Sequence, residues 1–115
     1  MKRETNRPSV QPGPTCWQRE APCACLRIET AGNNAYLFPY QHLVTASLIQ
    51  AEAGEILHLA FSSHDVKIAG RNLRVLLLAF QDFAVKWVRA MPERYHRLEA
   101  GEYGVVSSIR IQEVK

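Results

Sequence analysis

Residues 55–91 are EILHLAFSSHDVKIAGRNLRVLLLAFQDFAVKWVRAM, and this stretch predicts strand, turn, strand, helix and strand in direct succession. Apolar and polar residues alternate on both sides of a turn at 62–65, as they do in a hairpin with one buried face. Asn72 then precedes an apolar helix predicted over 73–84, and its side chain is of the type that caps helix N-termini. A two-residue period resumes at Val85. The stretch therefore predicts a sheet packed with one helix.

The rest of the chain adds strands before and after this stretch. Apolar alternation predicts strands over 25–30, 35–40 and 42–49 upstream and over 105–114 downstream. The element order is then β-β-β-β-β-α-β-β, an α+β class with a bent antiparallel sheet. Two arrangements stay open. We favour a small open barrel closed by the helix, and the alternative is a flat sheet with the helix on one face.

The length of 115 residues predicts a single domain, which we place at 23–115. Residues 1–22 are predicted to form a flexible arm, because prolines recur there without any apolar period. Three cysteines in a chain without a secretion signal predict reduced thiols and a cytoplasmic location. The mostly apolar segment at 73–80, which includes Arg74, is far shorter than the roughly 20 residues that cross a bilayer, so no membrane association is expected.

The net charge of +3 is unevenly distributed along the chain. Seven basic and two acidic residues give 66–98 a charge of +5, whereas one basic and four acidic residues give 23–65 a charge of −3. Residues 70–74 combine a glycine, a predicted helix N-terminus and two arginines, which are features that bind anions. The alternative is an ordinary helix cap beside a solvated basic face. The candidate anion-binding residues are Arg71, Asn72, Arg74, Lys86 and Arg89.

The predicted helix is apolar on more than one side. Leu73, Leu76 and Phe80 follow the spacing of a core-facing stripe, but further apolar residues extend onto its flanks. In a domain of this size, one sheet covers only one side of a single helix. The uncovered flank therefore predicts a subunit interface, and we expect a homo-oligomer, most simply a homodimer. The candidate interface residues are Val75, Leu78 and Ala79.

No cluster of residues names a reaction. The spacing of Cys16, Cys23 and Cys25 differs from the paired knuckles of zinc sites, and the four histidines occur in no recognisable catalytic motif. We therefore expect no metal and no cofactor, and the sequence leans against an enzyme without deciding the question. The favoured hypothesis is a small, non-enzymatic, self-associating protein-interaction module. The alternative is an anion- or nucleic-acid-binding protein that uses the basic region at 67–97.

Overall fold

The computed structural model describes residues 15–20, 22–95 and 103–114. Within them the chain forms eight strands and one α-helix. The strands before the helix are β1 (Trp17–Arg19), β2 (Cys25–Thr30), β3 (Asn34–Pro39), β4 (Leu43–Ala51), β5 (Gly54–Phe61) and β6 (His64–Arg71). The helix is α1 (Arg74–Gln81), and β7 (Val85–Arg89) and β8 (Val105–Glu113) follow it. Short 3-10 turns occupy Tyr40–His42 and Glu93–Tyr95.

The strands form two open four-stranded sheets, in the orders β1-β7-β2-β3 and β4-β5-β6-β8. The predicted α+β class and the strand-helix-strand layout are confirmed. Two details differ from the prediction of one bent antiparallel sheet. The strands divide between two sheets, and β2 pairs with β7 in parallel. The helix crossover causes the parallel pair, because it returns the chain to the first sheet in the same direction as β2.

Strand β1 was not predicted. It pairs antiparallel with β7, and the Trp17 indole N–H donates to the Tyr103 carbonyl at 2.7 Å. The Cys16 carbonyl accepts from the Arg89 amide at 2.8 Å, which continues this pairing. These residues belong to the predicted arm at 1–22, most of which lies outside the described residues. Flexibility of that remaining part stays a prediction.

The core lies between the two sheets and under the helix. Phe38 of the first sheet stacks on Phe61 of the second with their ring centroids 4.5 Å apart, which joins the two layers. Alternate residues of the central strands point inward, as the two-residue period predicts. The fully buried large side chains are Leu26, Ile28, Leu57, Leu59, Val66, Ile68, Leu73, Leu76, Phe80, Val85, Val88 and Val106.

The helix is shorter than predicted, and its predicted cap is wrong. Asn72 has a φ of 54°, in the left-handed region, and the N-cap position belongs to Leu73. The Leu73 amide instead donates to the Glu55 carboxylate at 2.7 Å. Phe83 also has a φ of 54°, and this left-handed residue ends the helix before the predicted limit at 84. Among the described residues, no helix has the length and apolar character needed to cross a membrane.

Candidate functional site

Strand β4 is a long edge strand without a charged residue. Its sequence is LVTASLIQA, and it lies at the end of the second sheet. Among the described strands it pairs with β5 alone. None of its nine residues is buried. Leu43 and Leu48 pack partly against the core, whereas Val44 is 67% and Ile49 50% exposed. The unpaired edge of β4 therefore offers both backbone hydrogen-bonding groups and apolar side chains to a partner.

The other edge strands carry features that discourage pairing with another chain. Strand β1 has three residues, and β3 has six and ends at Pro39. Strand β8 carries Arg110 and Glu113. Strand β4 has one feature of this kind, a register shift between Leu43 and Thr45. Beyond it, residues 45–51 pair regularly with β5. These seven residues present a straight edge of roughly 20 Å. Natural sheets usually protect edges of this length with charged residues or proline. Strand β4 contains neither, so its edge is suited to pairing with another chain.

The helix flank adds to this apolar surface. Helix α1 packs beside β4, and Leu78 on its outer side is 51% exposed while Val75 is half-buried. Ala79 is 0% exposed, because it lies on the same side of the helix as Leu76 and Phe80 in the core. Of the three predicted interface residues, Ala79 therefore belongs to the interior of this chain, and Val75 and Leu78 reach the surface. We call β4 together with Val75 and Leu78 the β4 surface.

The predicted anion-binding residues fall into two groups, of which one lies on β7. Lys86 forms an ion pair with Glu20 at 3.1 Å. The Arg89 Nε donates to the Thr15 carbonyl at 3.0 Å, and its guanidinium lies 5.1 Å from the ring centroid of Trp87. Both cations therefore help to attach the segment around β1 to the first sheet.

The other group surrounds the start of the helix. Arg71 ends β6, Asn72 is exposed in the connection, and Arg74 is the exposed first residue of α1. The protein supplies its own anion here, since the Glu55 carboxylate accepts the Leu73 amide. An external anion would have to compete with this carboxylate for the helix N-terminus. Binding of an anion by these five residues stays a prediction.

One polar pair was missed in the sequence. His58 Nε2 and Asp65 Oδ1 are 3.1 Å apart across the β5–β6 hairpin, and both side chains are partly exposed. The register of the predicted hairpin could have indicated this pair. It places Asp65 opposite Ala60, and therefore diagonal to His58 on the same face of the sheet. The pair lies on an open sheet face. It therefore lacks the enclosed pocket that general acid–base catalysis uses.

The three cysteines are free thiols. Cys16 is buried, and burial raises the pKa of its thiol. Burial also raises the pKa of the Cys23 thiol, which donates to the Phe83 carbonyl at 3.4 Å. Within the described ranges, no group of three His, Cys, Asp or Glu side chains is placed to hold a metal ion.

A surface depression of about 570 Å³ lies beside the end of α1, and its charged side chains are already paired. Arg19 contacts Asp82 at 2.9 Å, and Glu20 contacts Lys86 at 3.1 Å. The depression therefore offers little free charge to a ligand. The β4 surface is the stronger candidate.

No family model, curated protein or solved structure matches this chain. The function is therefore inferred from the geometry of the molecule.

Proposed function

We propose that this protein is a non-enzymatic interaction module of the cytoplasm that self-associates through the β4 surface. One observation carries the proposal. Strand β4 is a nine-residue, uncharged, mostly apolar edge strand in which no residue is buried. Burying apolar side chains stabilises an interface, and an unpaired strand edge supplies ready donors and acceptors.

A second copy of the chain is the partner that fits this edge. Two β4 strands can pair antiparallel about a two-fold axis, so that each copy contributes the same surface. Because β4 has no charged side chain, no like charges meet in any register of that pair. The second sheet then becomes one eight-stranded sheet, in the order β8-β6-β5-β4 followed by β4-β5-β6-β8 of the second copy.

The helix flank enlarges the same interface. Ile49 on β4 is 50% exposed and Leu78 on α1 is 51% exposed, so each retains apolar surface to bury. Complete burial of such a side chain contributes about 1.5–3 kcal/mol relative to full exposure, so about half of that is available at each position. Together with the backbone hydrogen bonds, these contacts give the dimer its stability.

Charge introduced at the edge should abolish self-association. We expect a dimer for the wild type and a monomer for Ile49→Lys, because a lysine at this position would place two charges in the uncharged interface. Native mass spectrometry and light scattering after size exclusion measure both states. Leu37→Lys is the matched control. Leu37 is 66% exposed on the other apolar edge, β3, and its replacement should leave the dimer intact.

Circular dichroism should show the same fold for all three proteins. A wild type that stays monomeric at every accessible concentration would contradict the proposal, as would a dimer that survives Ile49→Lys. If Leu37→Lys alone gives a monomer, β3 forms the interface instead. Leu78→Glu then measures how far the interface extends onto the helix, and we expect it to weaken the dimer.

A further inference from the structure

The outward face of the second sheet carries two neighbouring cations, Lys67 and Arg110, which we call the cation row. Lys67 on β6 lies directly opposite Arg110 on β8, and His58 on β5 lies opposite Lys67 on its other side. The neighbours of these residues along each strand point inward, since Val66 and Ile68 are buried and Ile109 packs against the core. Lys67 and Arg110 are both exposed.

Two like charges in directly opposed positions destabilise a sheet unless another group neutralises them. Among the described residues, no ion pair includes Lys67 or Arg110. The first sheet differs in this respect, because three of the four basic side chains on its strands have acidic partners. The ion pairs there are Arg19–Asp82, Arg27–Glu29 and Lys86–Glu20. Fold stability does not explain the opposed pair on the second sheet.

The rest of this face compensates only part of the positive charge. In the part of the chain that the structure describes, Asp65 is its one carboxylate, and Asp65 is already hydrogen-bonded to His58 at 3.1 Å. Ser108 and Gln112 flank Arg110 on the same face of β8, and Ser47 continues the row on β4. Hydroxyl and amide donors therefore surround the two free cations.

We propose that the face around Lys67 and Arg110 binds the phosphate backbone of a nucleic acid, without reading its sequence. Arginine binds phosphate through two parallel hydrogen bonds, and serine and glutamine side chains also donate to phosphate oxygens. Neighbouring strands are about 4.8 Å apart, so the row of cations can contact successive phosphates of one strand. The open, flat shape suits a polymer better than a single small anion, which would need a pocket.

This binding goes beyond the proposed self-association and uses other residues. It differs also from the anion site predicted at Arg71–Arg74, Lys86 and Arg89. In the proposed dimer, both cation rows would lie on the same side of the eight-stranded sheet. Dilution to concentrations at which the wild type is monomeric separates the two proposals, since the monomer retains one complete row and should still bind nucleic acid, though more weakly.

Fluorescence anisotropy with labelled single-stranded DNA at rising salt tests the proposal on the full chain. We expect the logarithm of the binding constant to fall linearly with the logarithm of salt concentration. Lys67→Gln and Arg110→Gln should each reduce that slope by about 0.7, because each loses one phosphate contact. The control is Arg27→Gln, which removes the same charge from β2 of the first sheet and should leave the slope unchanged.

Urea unfolding of the variants is a second measurement. If Lys67 and Arg110 served only to stabilise the fold, replacing either would lower the urea concentration of unfolding. Removing one of two opposed cations relieves repulsion, so Lys67→Gln and Arg110→Gln should unfold at the same or higher urea concentration than the wild type. The proposal fails if the wild type does not bind DNA or RNA at low salt, or if Arg27→Gln reduces the slope equally. It also fails if polyglutamate binds through Lys67 and Arg110 and nucleic acid does not.

Discussion

At the scale of single residues, Tyr40 connects the two sheets to the start of β7. Its ring is buried, its hydroxyl donates to the Val85 carbonyl at 2.6 Å, and it accepts from the Val85 amide at 3.2 Å. Burial raises the pKa of Tyr40 far above its ordinary value, and the nearby Cys23 raises it further. The hydroxyl therefore stays protonated in the folded protein and satisfies both backbone groups of Val85 inside the core.

Removing this hydroxyl should destabilise the protein in a pH-dependent manner. Tyr40→Phe leaves the Val85 amide without a partner in a buried place, so the free energy of unfolding should fall by about 1–3 kcal/mol at neutral pH. Because the pKa is raised in the folded state, the contribution of Tyr40 is complete below the unfolded tyrosine pKa of about 10 and declines as pH rises above it.

Urea unfolding of both proteins at neutral pH and on either side of about pH 10 measures this effect. The difference in free energy of unfolding between the wild type and Tyr40→Phe should become smaller at the higher pH. The two cysteines with raised pKa values are present in both proteins and cancel in the comparison. A difference in free energy that stays constant across this pH range would contradict the raised pKa of Tyr40 in the folded protein.

At the scale of elements, α1 depends on a side chain from another strand. The helix has eight residues, too few to be stable alone. Its first free amide is satisfied by Glu55 of β5, which also accepts from the Gln50 side chain at 3.2 Å. A carboxylate at this position interacts favourably with the helix dipole as well. The cap therefore links the helix to the second sheet.

Glu55→Ala should lower the free energy of unfolding by about 0.5–2 kcal/mol, the usual cost of losing a helix cap. Glu52→Ala is the matched control, because Glu52 lies exposed in the neighbouring turn and its replacement removes the same charge. We expect the control to change stability by less than about 0.5 kcal/mol. Chemical denaturation measures both variants, and equal losses would show that charge, not capping, is the cause.

At the scale of the whole molecule, the two sheets differ in how many of their surface groups have partners within the chain. On the first sheet, Arg19, Arg27 and Lys86 form ion pairs, and Arg89 contacts the Thr15 carbonyl and the Trp87 ring. The second sheet leaves the edge of β4 unpaired and Lys67 opposite Arg110. Both proposed interactions therefore use the second sheet, its edge for a second copy of the chain and its outward face for nucleic acid.

Self-association should make thermal stability depend on protein concentration. A partner that binds only the folded chain stabilises it by mass action, so the melting temperature of the wild type should rise by roughly 3–5 °C for each tenfold increase in concentration. Ile49→Lys should melt at a temperature independent of concentration. Differential scanning calorimetry over a hundredfold range measures this, and identical behaviour of the two proteins would argue against the β4 interface.

The sequence by itself determined the local elements. The predicted strand at 25–30 coincides with β2, and the hairpin and the restart of alternation at Val85 correspond to β5, β6 and β7. These elements are predictable because side-chain period and turn chemistry depend on neighbouring residues. The apolar flank of the helix was also visible, and it led to two residues of the β4 surface, Val75 and Leu78.

Only the tertiary structure decided which distant residues meet. It replaced the predicted Asn72 cap by Glu55, placed Ala79 in the core and left β4 at an edge. It also set Lys67 opposite Arg110, which is 43 positions away in the chain. Strand order, register and burial depend on how remote segments pack against one another. No local pattern encodes these contacts, so the unpaired edge of β4 and the cation row became visible only in the folded chain.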